Sequence, residues 1–178
     1  PFVAILLAES GAGKGAPYKF VGAHLAAAGM RHVLSNDLRS DKEILRRLIE
    51  LDGSAAYMKD EAQVLFRAIL KDDKSTQSTS AIATLITELV TKEDNYYLSG
   101  VTQQQIREEG AKRLAKVNKE IGKDGVPTPD QNEEKAIARR MLDWAKNGIP
   151  DPRVPLLTTS TPQQFKPIFD DHNVESGF

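Results

Sequence analysis

One lysine among glycines and alanines, Gly11-Ala12-Gly13-Lys14-Gly15-Ala16, is the stretch of this chain whose residue types and spacing best suit chemistry. Consecutive backbone N–H groups can converge on an anion only where glycines let the chain turn tightly. A following helix adds its positive N-terminal dipole, and a lysine can reach the outer oxygens of a phosphate. The general phosphate-loop pattern G-x-x-x-x-G-K-[ST] is not met, because Ala8 stands at the first glycine position and Gly15 follows Lys14. Taken alone, the loop reads equally as a glycine-rich turn between a strand and a helix. The other reactive side chains have plainer readings. His24 and His32 suit a helix face and a strand edge. The run from Phe169 to His172 suits a solvated helix end, and Lys71 to Lys74 a surface turn. Tyr96 and Tyr97 fit strand packing, and Met141 and Trp144 fit a helix core. Arg139 and Arg140 by themselves read as a solvated helix face. No Ser-His-Asp arrangement or zinc-ligand spacing is present.

The loop needs elements to hold it. The apolar run from Phe2 to Ala8 reads as a buried strand of a parallel sheet, and 15–29 as a helix with Gly29 at its C-cap. A short strand is expected near Arg31 to Asp37. A helix is expected from Ser40 to Gly53, with Ile44, Leu45, Leu48, Ile49 and Leu51 on its apolar face. Further helices are expected over 58–73, 81–92, 103–121 and 132–148. Strands are expected at Asn95 to Gly100 and Arg153 to Ser160, followed by a final helix with Pro162 near its start. Alternating strands and helices predict an α/β chain with a parallel sheet. A length of 178 residues suits one domain. With 24 basic and 25 acidic residues the net charge is -1, so no basic field calls for nucleic acid or a membrane surface. The absence of cysteine excludes disulfides and thiolate chemistry and fits a reducing, cytoplasmic setting. No basic region precedes the first apolar run as in a signal peptide.

Several segments in order resemble the adenylate kinase and UMP/CMP kinase family. Its loop reads G-x-P-G-[AS]-G-K-G-T, and Gly11 to Gly15 keep the core of it. His32 to Ser40 is similar to the family's H-[IL]-S-[TA]-G-D-L-L-R-[SA]. The segment from Ala81 to Gln105 resembles the helix and strand leading into D-G-[FY]-P-R. Asp130 to Leu142 resembles D-D-x-E-E-T-[VI]-x-x-R-L, and Val154 to Phe169 the closing strand and helix.

The resemblance implies a three-layer P-loop fold with a central parallel sheet. It also implies a helical acceptor-binding insertion at about 37–80 and a short lid at about 122–130. It implies phosphoryl transfer from ATP, with Mg²⁺, to a nucleoside monophosphate. Lys14 would meet the transferred group, and Gly11, Ala12, Gly13, Gly15 and Ala16 would offer N–H groups to the donor phosphates. Ser35, Asp37 and Arg39 would form the acceptor site, with Arg39 clamping its phosphate, and Arg139 would approach as the lid closes. The family's loop threonine is Ala16 here, its D-G-[FY]-P-R aspartate Ser99, that motif's arginine Gln103, and a lid arginine Thr128. No metal ligand is therefore assigned to the chain, and magnesium would rest on phosphates and water. Each such loss commonly costs ~10²–10³ in rate. A kinase-like nucleotide-binding or structural subunit without useful turnover is the alternative, and another small-molecule kinase a third. Oligomeric state and acceptor base stay open.

Overall fold

The structure is a computed structural model that describes residues 3–9, 11–13, 15–38, 40–61, 63, 65–66, 77–91, 94–122 and 125–166. Lys14 and Arg39, both expected at the site, lie outside the described residues, as does the part of the expected final helix beyond 166. The chain is α/β and divides into two compact units. The first comprises 1–44, 54–91 and 153–178, and the second 45–53 and 92–152.

The first unit holds a four-stranded, wholly parallel sheet. Its strands are β1 (Val3–Leu7), β2 (Leu34–Ser35), β3 (Ala56–Lys59) and β4 (Leu156–Ser160), in the order β1-β4-β3-β2. Parallel neighbours need long crossovers, and these contain α1 (Gly15–Ala27), α2 (Asp41–Glu50) and α3 (Gln77–Thr91). A short helix, α6 (Pro162–Phe165), follows β4 with Thr161 as its N-cap and Pro162 in its first turn, as the sequence predicts. α3 buries Ile82, Leu85, Ile86 and Leu89, the four positions expected on its apolar face. α2 begins in this unit, with the Ser40 hydroxyl accepting from the Glu43 N–H at 3.2 Å.

Three expectations are corrected here. β1 is not a buried strand: among the described strands it lies at the sheet edge, with Val3, Leu6 and Leu7 exposed, and α1 beside it has no fully buried residue. The helix expected over 58–73 starts too early, because Met58 and Lys59 belong to β3, and the span 37–80 therefore gives the sheet one of its middle strands. The segment from Asn95 to Gly100 forms no strand. Tyr96 makes only an isolated antiparallel bridge to Ile149, and Ser99 caps the helix that follows.

The second unit is built on α4 (Gly100–Ile121) and α5 (Pro129–Asn147). They run antiparallel, since Gly110 meets Ala138 and Met141, whereas Gln103 and Arg107 share a cleft with Ala145 and Lys146. Thr128 and Gln131 form a capping box at the start of α5. The part of α2 from Leu45 onward belongs to this unit. Arg140 donates to the Ile49 and Glu50 carbonyls at 2.9 and 3.2 Å and pairs with Asp52 at 3.0 Å, so a guanidinium covers the carbonyl end of that helix. Met141 is fully buried, while Trp144 is half-buried with Arg140 stacked 5.5 Å from its ring.

Candidate functional site

β1 delivers the chain into the glycine loop, and α1 takes it away. Gly11 and Gly13 have φ of 84° and 77°, a left-handed backbone that side chains resist; a Cβ at either would meet no neighbour, so the backbone turn and not crowding requires glycine. The N–H groups of Ala12 and Ala16 turn inward onto the Glu9 and Gly13 carbonyls at 3.1 and 2.9 Å. Of the expected donors, those of Gly11, Gly13 and Gly15 are left as the described ones for an anion. The loop end is tied to its neighbours: Ala8 N–H donates to Ser160 O at 3.2 Å, and Gln163 Nε2 to Glu9 Oε2 at 2.8 Å.

β3 brings a feature that sequence reasoning missed. Lys59 pairs in register with Thr158, so the chain leaves β3 at Asp60 and Glu61 level with Thr159 and Ser160 of β4. β1 ends at the same edge, Leu7 being in register with Ser160. Two strand spacings, roughly 10 Å, separate the end of β1 from that of β3, enough for phosphates and a cation between loop and carboxylate. Ligands of open parallel sheets bind in this kind of crevice at the carboxyl ends of the strands.

The acid pair is held by a small hydrogen-bond network. The Thr159 hydroxyl donates to Asp60 Oδ1, and the Glu61 N–H donates to the same oxygen at 2.9 Å. Asp60 Oδ2 is thereby left for another partner. Tyr18 of α1 donates its hydroxyl proton to the Lys59 carbonyl at 2.7 Å and lies 3.4 Å from Thr159 Oγ1. Burial pushes the Tyr18 phenol above its ordinary value; the Thr159 contact opposes this and the Asp60 charge adds to it, so the hydroxyl remains a donor at neutral pH. Glu61 has φ of 61°, uncommon for a residue with a side chain. Tyr18, Asn36, Met58, Lys59, Asp60 and Glu61 line one cleft of about 620 Å³.

The remaining expected residues divide. Ser35 ends β2 and its hydroxyl accepts from the Asp37 N–H at 3.1 Å, a local turn around the cleft residue Asn36. Arg139 is exposed on α5 in the second unit. The Ser99 hydroxyl accepts from the Thr102 N–H at the start of α4, and Thr128 caps α5. Two of the three positions where the resemblance would place a charge, Ser99 and Thr128, are helix caps here, and Gln103 lies within α4. Among the described residues no group of three or more His, Cys, Asp or Glu forms a metal cage, and no helix is long and apolar enough to cross a membrane.

No protein-family model, curated protein or solved structure matches the chain.

The signal for Asp60 and Glu61 was in the sequence. Ala55 to Met58 is a short apolar run followed by Lys59 and then two acids, the form of a buried strand meeting a site. It was hidden because Met58, Ala62, Leu65, Phe66 and Ile69 also fit a helical period.

Proposed function

We propose that the chain is a P-loop phosphoryl-transfer domain of three-layer type. It binds a nucleoside triphosphate, ATP in the first instance, with Mg²⁺, and transfers the terminal phosphoryl group to water. The observation that carries this reading is the cleft joining the α1 side chain Tyr18 to Asp60 and Glu61, at the sheet edge where β1 enters the glycine loop. P-loop hydrolases need a phosphate cradle with its lysine and a carboxylate on a neighbouring strand for the metal.

The donors present fit magnesium, which usually takes one or two carboxylates besides substrate phosphates and waters. Asp60 Oδ2 would hold it directly or through water. When bound, the ion would neutralise charge on the phosphate oxygens. Lys14 supplies a fixed positive charge to the outer phosphates, and the loop N–H groups hold the chain of phosphates in place. Glu61 accepts the proton of a water whose oxygen attacks the γ-phosphorus as the bond to the β–γ bridging oxygen breaks. The products are the diphosphate and inorganic phosphate. Ala16 removes the loop hydroxyl that would assist the metal, which puts more weight on Asp60.

A second reading keeps a nucleoside monophosphate as acceptor. It is favoured by the retained Gly11 to Gly15 core and by Asn36, flanked by Ser35 and Asp37, on the wall of the same cleft. In that reading Arg39 assists the acceptor phosphate.

Phosphate and diphosphate release from MgATP, with and without AMP, CMP, UMP, dTMP or GMP, decides between them. Hydrolysis predicts phosphate release without any acceptor, lost at least ~10²-fold in both Lys14→Ala and Glu61→Gln. Diphosphate formed only with one monophosphate, without free phosphate, supports the kinase. ATP binding with neither product leaves a nucleotide-binding subunit.

A further inference from the structure

We infer that Tyr18 is a positioning residue that couples the phosphate-facing end of α1 to the carboxylate pair after β3; this rests on the phosphoryl-transfer reading above. The residue sits in the first turn of α1, one turn past the loop glycines. α1 buries none of its side chains fully, so apolar packing holds it weakly against the sheet. The Tyr18 hydroxyl bridges that gap by donating to the Lys59 carbonyl at 2.7 Å. That carbonyl belongs to the peptide group joining Lys59 to Asp60. Fixing its plane sets the direction in which Asp60 and Glu61 leave the strand.

The second contact reinforces the first. Tyr18 Oη stands 3.4 Å from Thr159 Oγ1, whose own proton goes to Asp60 Oδ1. One phenol thus touches both groups that orient the Asp60 carboxylate, its preceding carbonyl and its hydroxyl donor. A shift of the first turn of α1, such as filling the glycine loop would bring, reaches Asp60 through the hydrogen bond to the Lys59 carbonyl and through the contact with Thr159. The ring alone would serve for packing; the hydroxyl is what the coupling needs.

Tyr18→Phe keeps the ring and removes the hydroxyl, so it separates the two roles. The test uses the full chain, with turnover of MgATP, ATP affinity by titration and hydrogen exchange of the nucleotide-free protein. Displacing a reacting group by about 1 Å can cost on the order of 10²-fold in rate. Tyr18→Phe is therefore expected to lower kcat at least ~10-fold, to raise the magnesium concentration for half-maximal rate, and to leave ATP affinity within ~3-fold. Exchange of the peptide covering 57–61 should rise without ligand, and Tyr18→Ala should add little further loss of kcat. An unchanged kcat, or a loss tracking ATP affinity alone, overturns the coupling. If wild type neither binds nor turns over ATP, the phosphoryl-transfer reading falls instead. The exchange of 57–61 then decides whether the phenol holds the end of β3: equal exchange in wild type and Tyr18→Phe rejects it.

Discussion

Glu61 combines a carboxylate on a cleft wall with a left-handed backbone. Holding a side chain at φ of 61° costs about 1–3 kcal/mol, retained only where the surroundings enforce it. Here the bond from its own N–H to Asp60 Oδ1 helps to enforce the turn. Glycine would relieve the strain at some entropic cost, so Glu61→Gly should be as stable as wild type or more stable by up to about 1 kcal/mol. If Glu61 is the base, the same variant should lose turnover at least ~10²-fold. Urea unfolding beside a phosphate-release assay reads both quantities. A variant that gains stability and keeps its rate would remove Glu61 from the chemistry while leaving Asp60 in place.

At the scale of elements, helix ends and helix contacts explain residues that a motif comparison reads as losses. Ser99 and Thr128 cap α4 and α5, so their hydroxyls satisfy backbone donors. Thr128→Ala should cost about 1 kcal/mol through the lost cap. Gly110 lets α4 and α5 approach closely: a Cβ there would stand 2.8 Å from Met141 Cβ and 3.1 Å from the Ala138 carbonyl oxygen. Backbone on one side leaves no side chain to swing away, so Gly110→Ala should destabilise by about 1–3 kcal/mol despite its better helix propensity. A denaturant midpoint that rises in this variant would mean the two helices separate more easily than their packing implies. Arg113 sits in the same unit between Glu50 at 2.6 Å and Glu109 at 2.9 Å. Burial works against its charge, but the two carboxylates more than offset this and hold its pKa above the ordinary arginine value.

For the whole chain, a ligand that binds only the folded state must raise stability by mass action. A nucleotide at a hundred times its Kd adds about 2.7 kcal/mol. MgADP should accordingly raise Tm, and EDTA should remove most of that gain if Asp60 and the phosphates share the ion. AMP alone gives the contrasting arm: a comparable rise with AMP and none with MgADP would favour an acceptor-like site near Asn36 over the triphosphate loop. Hydrogen exchange locates the effect, with protection expected over 11–16 and 57–61. The net charge of -1 gives no long-range field of either sign, so an anionic nucleotide would have to be held locally, by the loop and Lys14 in the proposed reading.

The sequence by itself determined most elements, because their causes are local. The apolar spacing of Ile82, Leu85, Ile86 and Leu89 made a helix, Ser40 and Gly53 bounded α2, and Gly11 and Gly13 permitted a left-handed turn. The α/β class followed from their alternation. Strand order and the partners of each strand were decided only in three dimensions, since pairing is a contact between distant residues with no local signature. That is why β1, apolar enough for a sheet centre, was found at the edge, and why β4 lies between it and β3. The acid pair shows the same division. Asp60 and Glu61 are ordinary charges in a helix-like run until β3 pairs with β4 and sets them level with Thr159, in the cleft that Tyr18 also lines. Side-chain chemistry was written in the chain; its convergence required the register of a parallel sheet, which only long-range packing supplies.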